Sequence, residues 1–518
     1  MTSSRRTFIK QVGAVSLLAA LPQDFAQASD LKYALTRKTP ESQGVSSTGI
    51  RNFLVAIKES GLEWHSFMLV RHGNVVAEGW WKPFDAHYKH TLYSLSKSFT
   101  STAIGFLVDE GKITVDDKVI SFFPEDLPVS VSDNLKAMKI KHLLTMNTGH
   151  DVDTMPKLRE MINQSWVKTF LEQPVLHEPS THFLYNTGAT YMLGAIVHKV
   201  TGQNLEKYLA PRLFEPLGIE GYDWETSPQG LNTAGFGLRV KTEDIAKFGQ
   251  FYLQKGKWNG KQLLPESWIE EATKKQTSSN KGDSDWSQGY GYQFWRCKPG
   301  FYRGDGAFGQ FCMVMPEQDA VLVMTSESWD LQKTMNVAYQ TLLPAMSNTA
   351  LAENADELDS LKNDIKILSL ATPKGASTSS LANQYMNKVF QAETNSYGIK
   401  DLSFYFDKDY CLLKLTSSKG VDKIKFGWQN WLVNDSPARN LFQVPNRTHM
   451  PSKIAGTAVW INDNTLQLNE KFVEAIHGDK LSCVFDGNKV TIAFINSVSE
   501  NTKNSPEKRD NLVGVIRI

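Results

Sequence analysis

The chain has 518 residues, a length typical of two or three domains. Lys and Arg number 56 against 55 Asp and Glu, so the net charge of +1 provides no strong field for nucleic acid, and we expect no nucleic-acid partner. A hydrophobic content of 41% excludes a largely disordered chain, and the presence of only four cysteines excludes a disulfide-scaffolded miniprotein.

The N-terminus contains the three parts of a secretory signal. Ser4-Arg5-Arg6-Thr7-Phe8-Ile9-Lys10 resembles the twin-arginine export motif, a weakly apolar stretch follows at residues 12–21, and Ala26-Gln27-Ala28 fits a cleavage site. We therefore expect residues 1–28 to be a signal peptide and the protein to be periplasmic or secreted in a bacterium. An ordinary N-terminal helix is the alternative. The apolar stretch is shorter than the ~20 residues that cross a bilayer, so we expect no integral membrane segment.

Residues 30–346 mix predicted strands and helices. Apolar runs predict paired strands at 67–70 and 74–77 and a buried strand at 320–324. Helical spacing of apolar residues predicts helices at 94–110, 188–201, 266–273 and 333–343. We expect these elements to form one layered α/β domain.

The composition changes near residue 350. Residues 347–380 are predicted to form an acidic helix and then a polar linker at 372–380, and residues 381–518 a small β-rich domain, either a barrel or a sandwich. Its strands are predicted at 402–406, 411–416, 458–461, 465–468, 481–485, 489–495 and 512–518.

The cysteines leave two arrangements open. Cys297 and Cys312 flank a predicted hairpin and can pair in an oxidising compartment, whereas Cys411 and Cys483 lie in predicted strands. Four free buried thiols are the alternative.

Ser94-Leu95-Ser96-Lys97 begins the first long predicted helix, and Leu95, Phe99, Ala103 and Leu107 predict one buried face. Positions 94 and 97 are one turn apart and share a face. A serine at a helix start can use its own N–H to stabilise an oxyanion. A lysine that is desolvated one turn later has a lowered pKa and can accept the proton of that serine.

The surrounding blocks are similar to a known family. Tyr93-Ser94-Leu95-Ser96-Lys97-Ser98-Phe99, then Lys141-His142-Leu143-Leu144-Thr145-Met146-Asn147-Thr148-Gly149 and the segment 237–249, resemble serine hydrolases related to class C β-lactamases and penicillin-binding proteins. The resemblance covers residues 38–346. It implies an antiparallel sheet flanked by helices, with an inserted helical region, as in β-lactamases and transpeptidases.

The resemblance also implies a tyrosine opposite the nucleophile, in a Tyr-x-Asn motif. Phe183-Leu184-Tyr185-Asn186-Thr187-Gly188 occupies that place, with Asn186 one position early and Thr187 in the family's asparagine position. The branch that resembles 6-aminohexanoate-dimer hydrolases and related esterases shows such a variant. We expect Tyr185 to transfer protons and, beside cationic or donor groups, to ionise below its usual pKa of ~10, with Asn186 and Thr187 at the substrate.

The third family element is a Lys-Thr-Gly or His-Thr-Gly triad on the strand beside the nucleophile. Gly304-Asp305-Gly306 replaces it here, and Ala307 follows as the expected second oxyanion donor through its N–H. Glycine allows the strand backbone to approach a ligand closely. The family's cation is missing and a carboxylate stands in the hydroxyl position, while Arg303 is expected on the opposite face. We therefore expect neutral or cationic substrates to react better than anionic β-lactams.

The sequence thus predicts an exported serine hydrolase that cleaves an ester or amide through an acyl-enzyme on Ser94, with Lys97 and Tyr185 moving protons. We expect a small-molecule, short peptide or oligomer substrate, no cofactor and no metal, because the histidines form no zinc motif. The alternatives are a β-lactamase or D-amino-acid peptidase, and a non-hydrolytic ligand-binding or sensor protein on the same fold.

Overall fold

The computed structural model describes residues 34–434, 452–502 and 505–516, so the predicted signal peptide lies outside the described residues. A seven-stranded sheet forms the centre of the first half, and its neighbours are antiparallel except for the parallel edge strand Thr36–Arg37. Its strands, in spatial order, are Thr36–Arg37, Asn74–Trp80, Trp64–Arg71, Ala320–Ser326, Gln310–Met315, Tyr302–Gly306 and Trp295–Arg296.

Helices cover both faces of this sheet. Ser47–Ser60 packs with Leu331–Thr341 and Ala355–Lys366 on one face, and Thr242–Leu253 packs on the other. The remaining α-helices include the inserted helical region and are Ser96–Asp109, Asp133–Ala137, Ile140–Leu144, Met155–Glu160, Trp166–Leu171, Thr187–Thr201, Leu205–Leu209, Glu215–Leu217, Glu266–Thr273, Ala382–Tyr385 and Ser497–Asn501. The expected layered α/β arrangement, an antiparallel sheet flanked by helices, is confirmed.

Helix Ser96–Asp109 is buried on every side from Ser96 to Leu107, not on one face as its apolar spacing predicts. It lies between strand Tyr302–Gly306 and helix Thr187–Thr201, so its polar residues need internal partners. Thr100 Oγ1 donates to the Ala234 carbonyl at 2.9 Å, and Thr102 Oγ1 bonds the Tyr252 hydroxyl at 2.7 Å. The helix is therefore a central element of the core and holds the residues at its N-terminus firmly.

The C-terminal part contains a ten-stranded sheet that closes into a barrel, which is the predicted C-terminal β-rich domain. Parallel pairing of Gly420–Trp428 with Ile454–Asn462 closes it, so a barrel and not a sandwich forms. Around the barrel the strands are Gly420–Trp428, Tyr410–Ser417, Ile399–Phe406, Val389–Ala392, Leu512–Ile516, Lys489–Asn496, Gly478–Asp486, Thr465–Phe472, Ile454–Asn462 and Leu432–Val433.

The barrel packs against the sheet-containing half without joining its sheet. Ala455 and Val473 of the barrel are fully buried in the apolar cluster that also contains Phe67 and Met324 of the central sheet. Residues from Leu35 onward accordingly form one compact unit. The predicted linker touches the barrel, because Ala376 exchanges backbone hydrogen bonds with Trp460 at 2.9 and 2.8 Å.

Two further findings concern the cysteines and the helices. Cys297, Cys312, Cys411 and Cys483 are all buried free thiols, so the Cys297–Cys312 pairing is not formed. Among the described residues, no helix combines the length and the apolar character needed to cross a membrane.

Candidate active site

Ser94 lies in a single 3₁₀ turn, Tyr93–Leu95, that leads directly into helix Ser96–Asp109. Tyr93 has a φ of +46°, a left-handed conformation that is costly for a bulky residue and persists only where the surroundings enforce it. Ser94 itself is half-buried, whereas the residues that follow it are buried. The turn therefore presents one serine hydroxyl at the edge of a packed core.

Lys97 is buried directly behind Ser94, with only 1% of its surface exposed. Its Nζ lies 3.0 Å from Ser94 Oγ, 2.8 Å from the Gly235 carbonyl oxygen and 3.4 Å from Thr187 Oγ1. Burial lowers the pKa of Lys97 to about 7, although the nearby charges of Asp153 and Asp305 favour the protonated form. A substantial fraction of this amine is therefore neutral at physiological pH and able to accept a proton.

Tyr185 closes the other side of the serine, and its side chain is hydrogen-bonded to that of Ser94. Its ring lies 5.0 Å from Lys97 Nζ and stacks on Trp295 with a centroid separation of 5.5 Å. The expectation of a lowered pKa is wrong, because burial raises the pKa of Tyr185 above its ordinary value and outweighs the bond to Ser94. At neutral pH this side chain is a phenol that can donate a proton.

Asn186 and Thr187 have different environments although they are neighbours. Asn186 is fully buried, and its Oδ1 accepts hydrogen bonds from the N–H groups of Gly188 and Thr154, both at 3.1 Å. It caps helix Thr187–Thr201, which gives Asn186 a structural role, and the expected role at the substrate stays a prediction. Thr187 Oγ1 instead contacts Lys97 Nζ, which makes the family's asparagine position part of the site.

Gly304 and Gly306 allow strand Tyr302–Gly306 to lie against the Ser94 turn. A Cβ on Gly304 would meet Leu95 Cδ1 at 2.1 Å, and one on Gly306 would meet the Leu92 carbonyl oxygen at 2.2 Å. The close approach is thus to the protein's own turn rather than to a ligand. Ala307 follows this strand and is half-buried.

Arg303 lies on the same face as Asp305, contrary to the expectation that it points away. Its Nε and Nη2 are 3.0 and 2.9 Å from Asp305 Oδ2, and its guanidinium stacks 4.6 Å from the Trp286 ring. Residues two apart on a strand share a face, which explains the pairing. Both side chains are buried, so the carboxylate at the family's hydroxyl position is already compensated by a positive charge.

Two neighbours of Lys97 carried no signal in the sequence. The Gly235 carbonyl is a main-chain acceptor, which no residue pattern reveals. Asp153 lies on the inserted helical region and accepts the Thr187 N–H at 2.8 Å. In the sequence, Asp151-Val152-Asp153 resembles any exposed polar loop. Only long-range packing brings Asp153 near Lys97, so no local pattern predicts that proximity.

Two clusters of potential metal ligands occur among the described residues. Asp151, His177 and His182 form a partly exposed group in which His177 Nε2 is 2.6 Å from Asp151 Oδ1. The second group is Glu63, His65 and Glu327. Both of its glutamates are 2.5–2.9 Å from Lys471 Nζ, so this group is an ion-pair network.

Comparisons with known proteins identify the family of this chain. The family model described as Beta-lactamase matches residues 59–344. The 6-aminohexanoate-dimer hydrolase of Paenarthrobacter ureafaciens is 26% identical over 285 residues, which are 51% of this chain and 72% of that protein. The solved octameric penicillin-binding protein homologue from Pyrococcus abyssi is 16% identical, with a TM-score of 0.47, and the match covers 90% of this chain and 99% of the other. Since the family model spans more than half of its residues, this chain belongs to the beta-lactamase family and is a serine hydrolase.

Proposed function

We propose that this protein cleaves an ester or amide bond through an acyl-enzyme on Ser94, with Lys97 as the general base and Tyr185 as a proton relay. The observation that carries the proposal is the 3.0 Å separation between Lys97 Nζ and Ser94 Oγ. A lysine with its ordinary pKa of about 10.4 would be protonated at neutral pH and could not act as a base. With a pKa of about 7, Lys97 can do so.

In the acylation step, neutral Lys97 takes the Ser94 proton while Oγ attacks the substrate's carbonyl carbon. The carbonyl electron pair moves to oxygen, and the resulting oxyanion is held by the N–H groups of Ser94 and Ala307. Collapse of this intermediate breaks the bond to the alcohol or amine. Tyr185 gives its proton to that leaving group and recovers one from the Lys97 ammonium, so protons and electrons balance.

Deacylation runs through the same groups with water as the nucleophile. Neutral Lys97 takes one proton from water, directly or through the Tyr185 hydroxyl, while hydroxide adds to the acyl carbon. Collapse of this second intermediate breaks the ester bond, and Ser94 Oγ leaves with that proton returned to it. The oxyanion assignment is supported by the tight contact of strand Tyr302–Gly306, which ends one residue before Ala307, with the turn that contains Ser94. A loose contact between strand and turn would not keep the N–H groups of Ser94 and Ala307 directed at one oxyanion.

The substrate that we propose is neutral or cationic near the acyl group. Gly304 offers no side chain, and Asp305 binds Arg303, so this strand presents no uncompensated cation to a substrate carboxylate. The relative from Paenarthrobacter ureafaciens is named for a 6-aminohexanoate dimer, whose halves are joined by an amide. Linear amides of amino acids and simple esters are therefore the first substrates to test.

The test is a burst assay with a chromogenic ester. A fast release of one equivalent of alcohol per enzyme, followed by slower steady turnover, is expected for the wild type and not for Ser94→Ala. A protein that binds the ester without a burst or turnover would be a binding protein on this fold, and the proposal would be wrong.

We also propose export through the twin-arginine route, which the motif at Arg5 and Arg6 supports. Replacement of both arginines by lysine should leave the enzyme in the cytoplasmic fraction of a bacterial host. Unchanged export of that variant would contradict the proposal.

A further inference from the structure

The hairpin turn between barrel strands Thr465–Phe472 and Gly478–Asp486 enters the neighbourhood of the Ser94 turn. His477, the last residue of this turn, is buried. Its Nε2 lies 2.8 Å from the Tyr93 hydroxyl, and its Nδ1 lies 2.7 Å from Glu327 Oε1. The barrel therefore contacts the residue that directly precedes the proposed nucleophile.

The same imidazole touches the segment beside the second oxyanion donor. The ring of Phe308, which directly follows Ala307, lies 4.6 Å from the His477 ring at an interplanar angle of 88°. Tyr93 and Phe308 also meet each other, with centroids 5.4 Å apart. One side chain of the barrel thus contacts the neighbours of both residues whose N–H groups we assign to the oxyanion.

Both of these neighbours have a backbone conformation that needs support. Tyr93 has a φ of +46° and Phe308 a φ of +64°, and bulky residues rarely adopt such values without enforcement by their surroundings. The Phe308 carbonyl accepts hydrogen bonds from Ser326 Oγ at 2.7 Å and from the Ser328 N–H at 2.9 Å. The described partners of the Tyr93 side chain include His477, which comes from a different part of the chain.

A partly buried ion-pair network holds the imidazole in place. Lys471 of the barrel lies 2.5 Å from Glu63 Oε1 and 2.9 Å from Glu327 Oε2. The Lys471 charge and the bond to His477 hold the pKa of Glu327 well below its usual range, despite its burial. The ionised Glu327 accepts the Nδ1–H of His477, so in a neutral imidazole Nε2 is left to accept the proton of the Tyr93 hydroxyl.

We propose that His477 is a positioning residue for the hydrolysis: by holding Tyr93 and packing on Phe308, it keeps the N–H groups of Ser94 and Ala307 convergent on the oxyanion. The barrel then contributes a positioning residue to the active site. This inference rests on the proposed function of Ser94. Because the oxyanion forms only as the reaction proceeds, loss of the contact acts on kcat and leaves KM nearly unchanged.

The experiment compares full-length His477→Ala, Tyr93→Phe and the double variant. Each single variant is expected to lose about tenfold or more in kcat with KM within about twofold, and the double variant to lose no more than the worse single one, because both changes break one contact. His477→Gln, which keeps a polar group near the Nε2 position, should recover most of the activity. Lys480→Ala is the matched control, since it removes an exposed barrel ion pair with Glu500.

Thermal unfolding of every variant separates positioning from general stability. Tyr93→Phe removes one hydroxyl and keeps the inference testable if His477→Ala does not fold. An unchanged kcat in folded His477→Ala or Tyr93→Phe, losses that multiply in the double variant, or no recovery with glutamine would overturn the inference. Full activity of Ser94→Ala would instead remove the proposed function, so the two failures are distinguishable.

Discussion

Lys97 Nζ lies 3.0 Å from Ser94 Oγ, and of the two side chains the serine is half-buried whereas the lysine is almost wholly enclosed. The lysine donates to the Gly235 carbonyl and contacts Thr187, but no carboxylate lies within hydrogen-bonding distance of it among its described partners. Burial of the ammonium is the physical reason for the low pKa of Lys97, and the more distant charges of Asp153 and Asp305 offset it only in part.

The first prediction concerns pH. Because neutral Lys97 is the proposed base and its pKa is lowered to about 7, kcat/KM should fall roughly tenfold per unit below pH 7 and level off above it. The measurement is kcat/KM for a neutral ester between pH 5 and 9. A profile that is flat through pH 7 would show that Lys97 is not the titrating base.

Tyr185→Phe should lower kcat by about 10²-fold or more, because it removes the proton relay but keeps the stacking on Trp295. Tyr191→Phe is the matched control: that tyrosine is also buried, but its hydroxyl contacts Ser227 Oγ at 3.2 Å. Steady-state kinetics on both variants checks this. Equal activity of Tyr185→Phe and the control would assign proton transfer to another group.

Alanine at the two strand glycines should have graded effects. Gly306→Ala forces a Cβ against the fixed Leu92 carbonyl, whereas in Gly304→Ala the obstacle is the end of the Leu95 side chain. We expect Gly306→Ala to lose more activity and more thermal stability. Leu95→Ala should partly restore Gly304→Ala and should not restore Gly306→Ala. The reverse ranking, measured by Tm and kcat, would contradict the close approach of strand and turn.

Asp305→Asn should shift the charge preference of the site. It leaves the fully buried Arg303 without its carboxylate, which should cost about 3 kcal/mol of stability and make the site more positive. The ratio of kcat/KM for an anionic ester to that for a neutral ester of equal length should rise about tenfold or more, since the attraction is little screened. Asp319→Asn, which removes an exposed carboxylate beside His72, is the control and should leave the ratio unchanged. An unchanged ratio in Asp305→Asn would remove the electrostatic argument.

The sequence is informative where the relevant contact is local. Ser94 and Lys97 are one helical turn apart, so their side-chain contact follows from spacing alone. The pairing of Arg303 with Asp305 also follows from strand alternation. Arg303 is two residues from Asp305 and shares its face, whereas it is one residue from Gly304 and lies on the opposite face. The contacts of Lys97 with the Gly235 carbonyl and of Tyr185 with Trp295 join distant segments and have no local pattern.

In the barrel, too, some strands and contacts leave no local pattern in the sequence. Strand Gly420–Trp428 alternates buried residues with exposed ones such as Lys423 and Lys425, and Val389–Ala392 has only four residues, so neither stands out as an apolar run. The contact of His477 with Tyr93 spans 384 positions in the chain, and only the folded arrangement of the two halves reveals it. The raised pKa of Tyr185 likewise has no local signal in the sequence, because the burial that causes it depends on long-range packing.

The most direct test of the account is the intact mass of the protein after a brief reaction with an activated ester. Wild-type protein should gain the mass of one acyl group, peptide mapping should locate it on Ser94, and Ser94→Ala should gain none under the same conditions. An adduct of equal yield on Ser94→Ala, or an acyl group located on any other residue, would contradict the claim that Ser94 is the nucleophile.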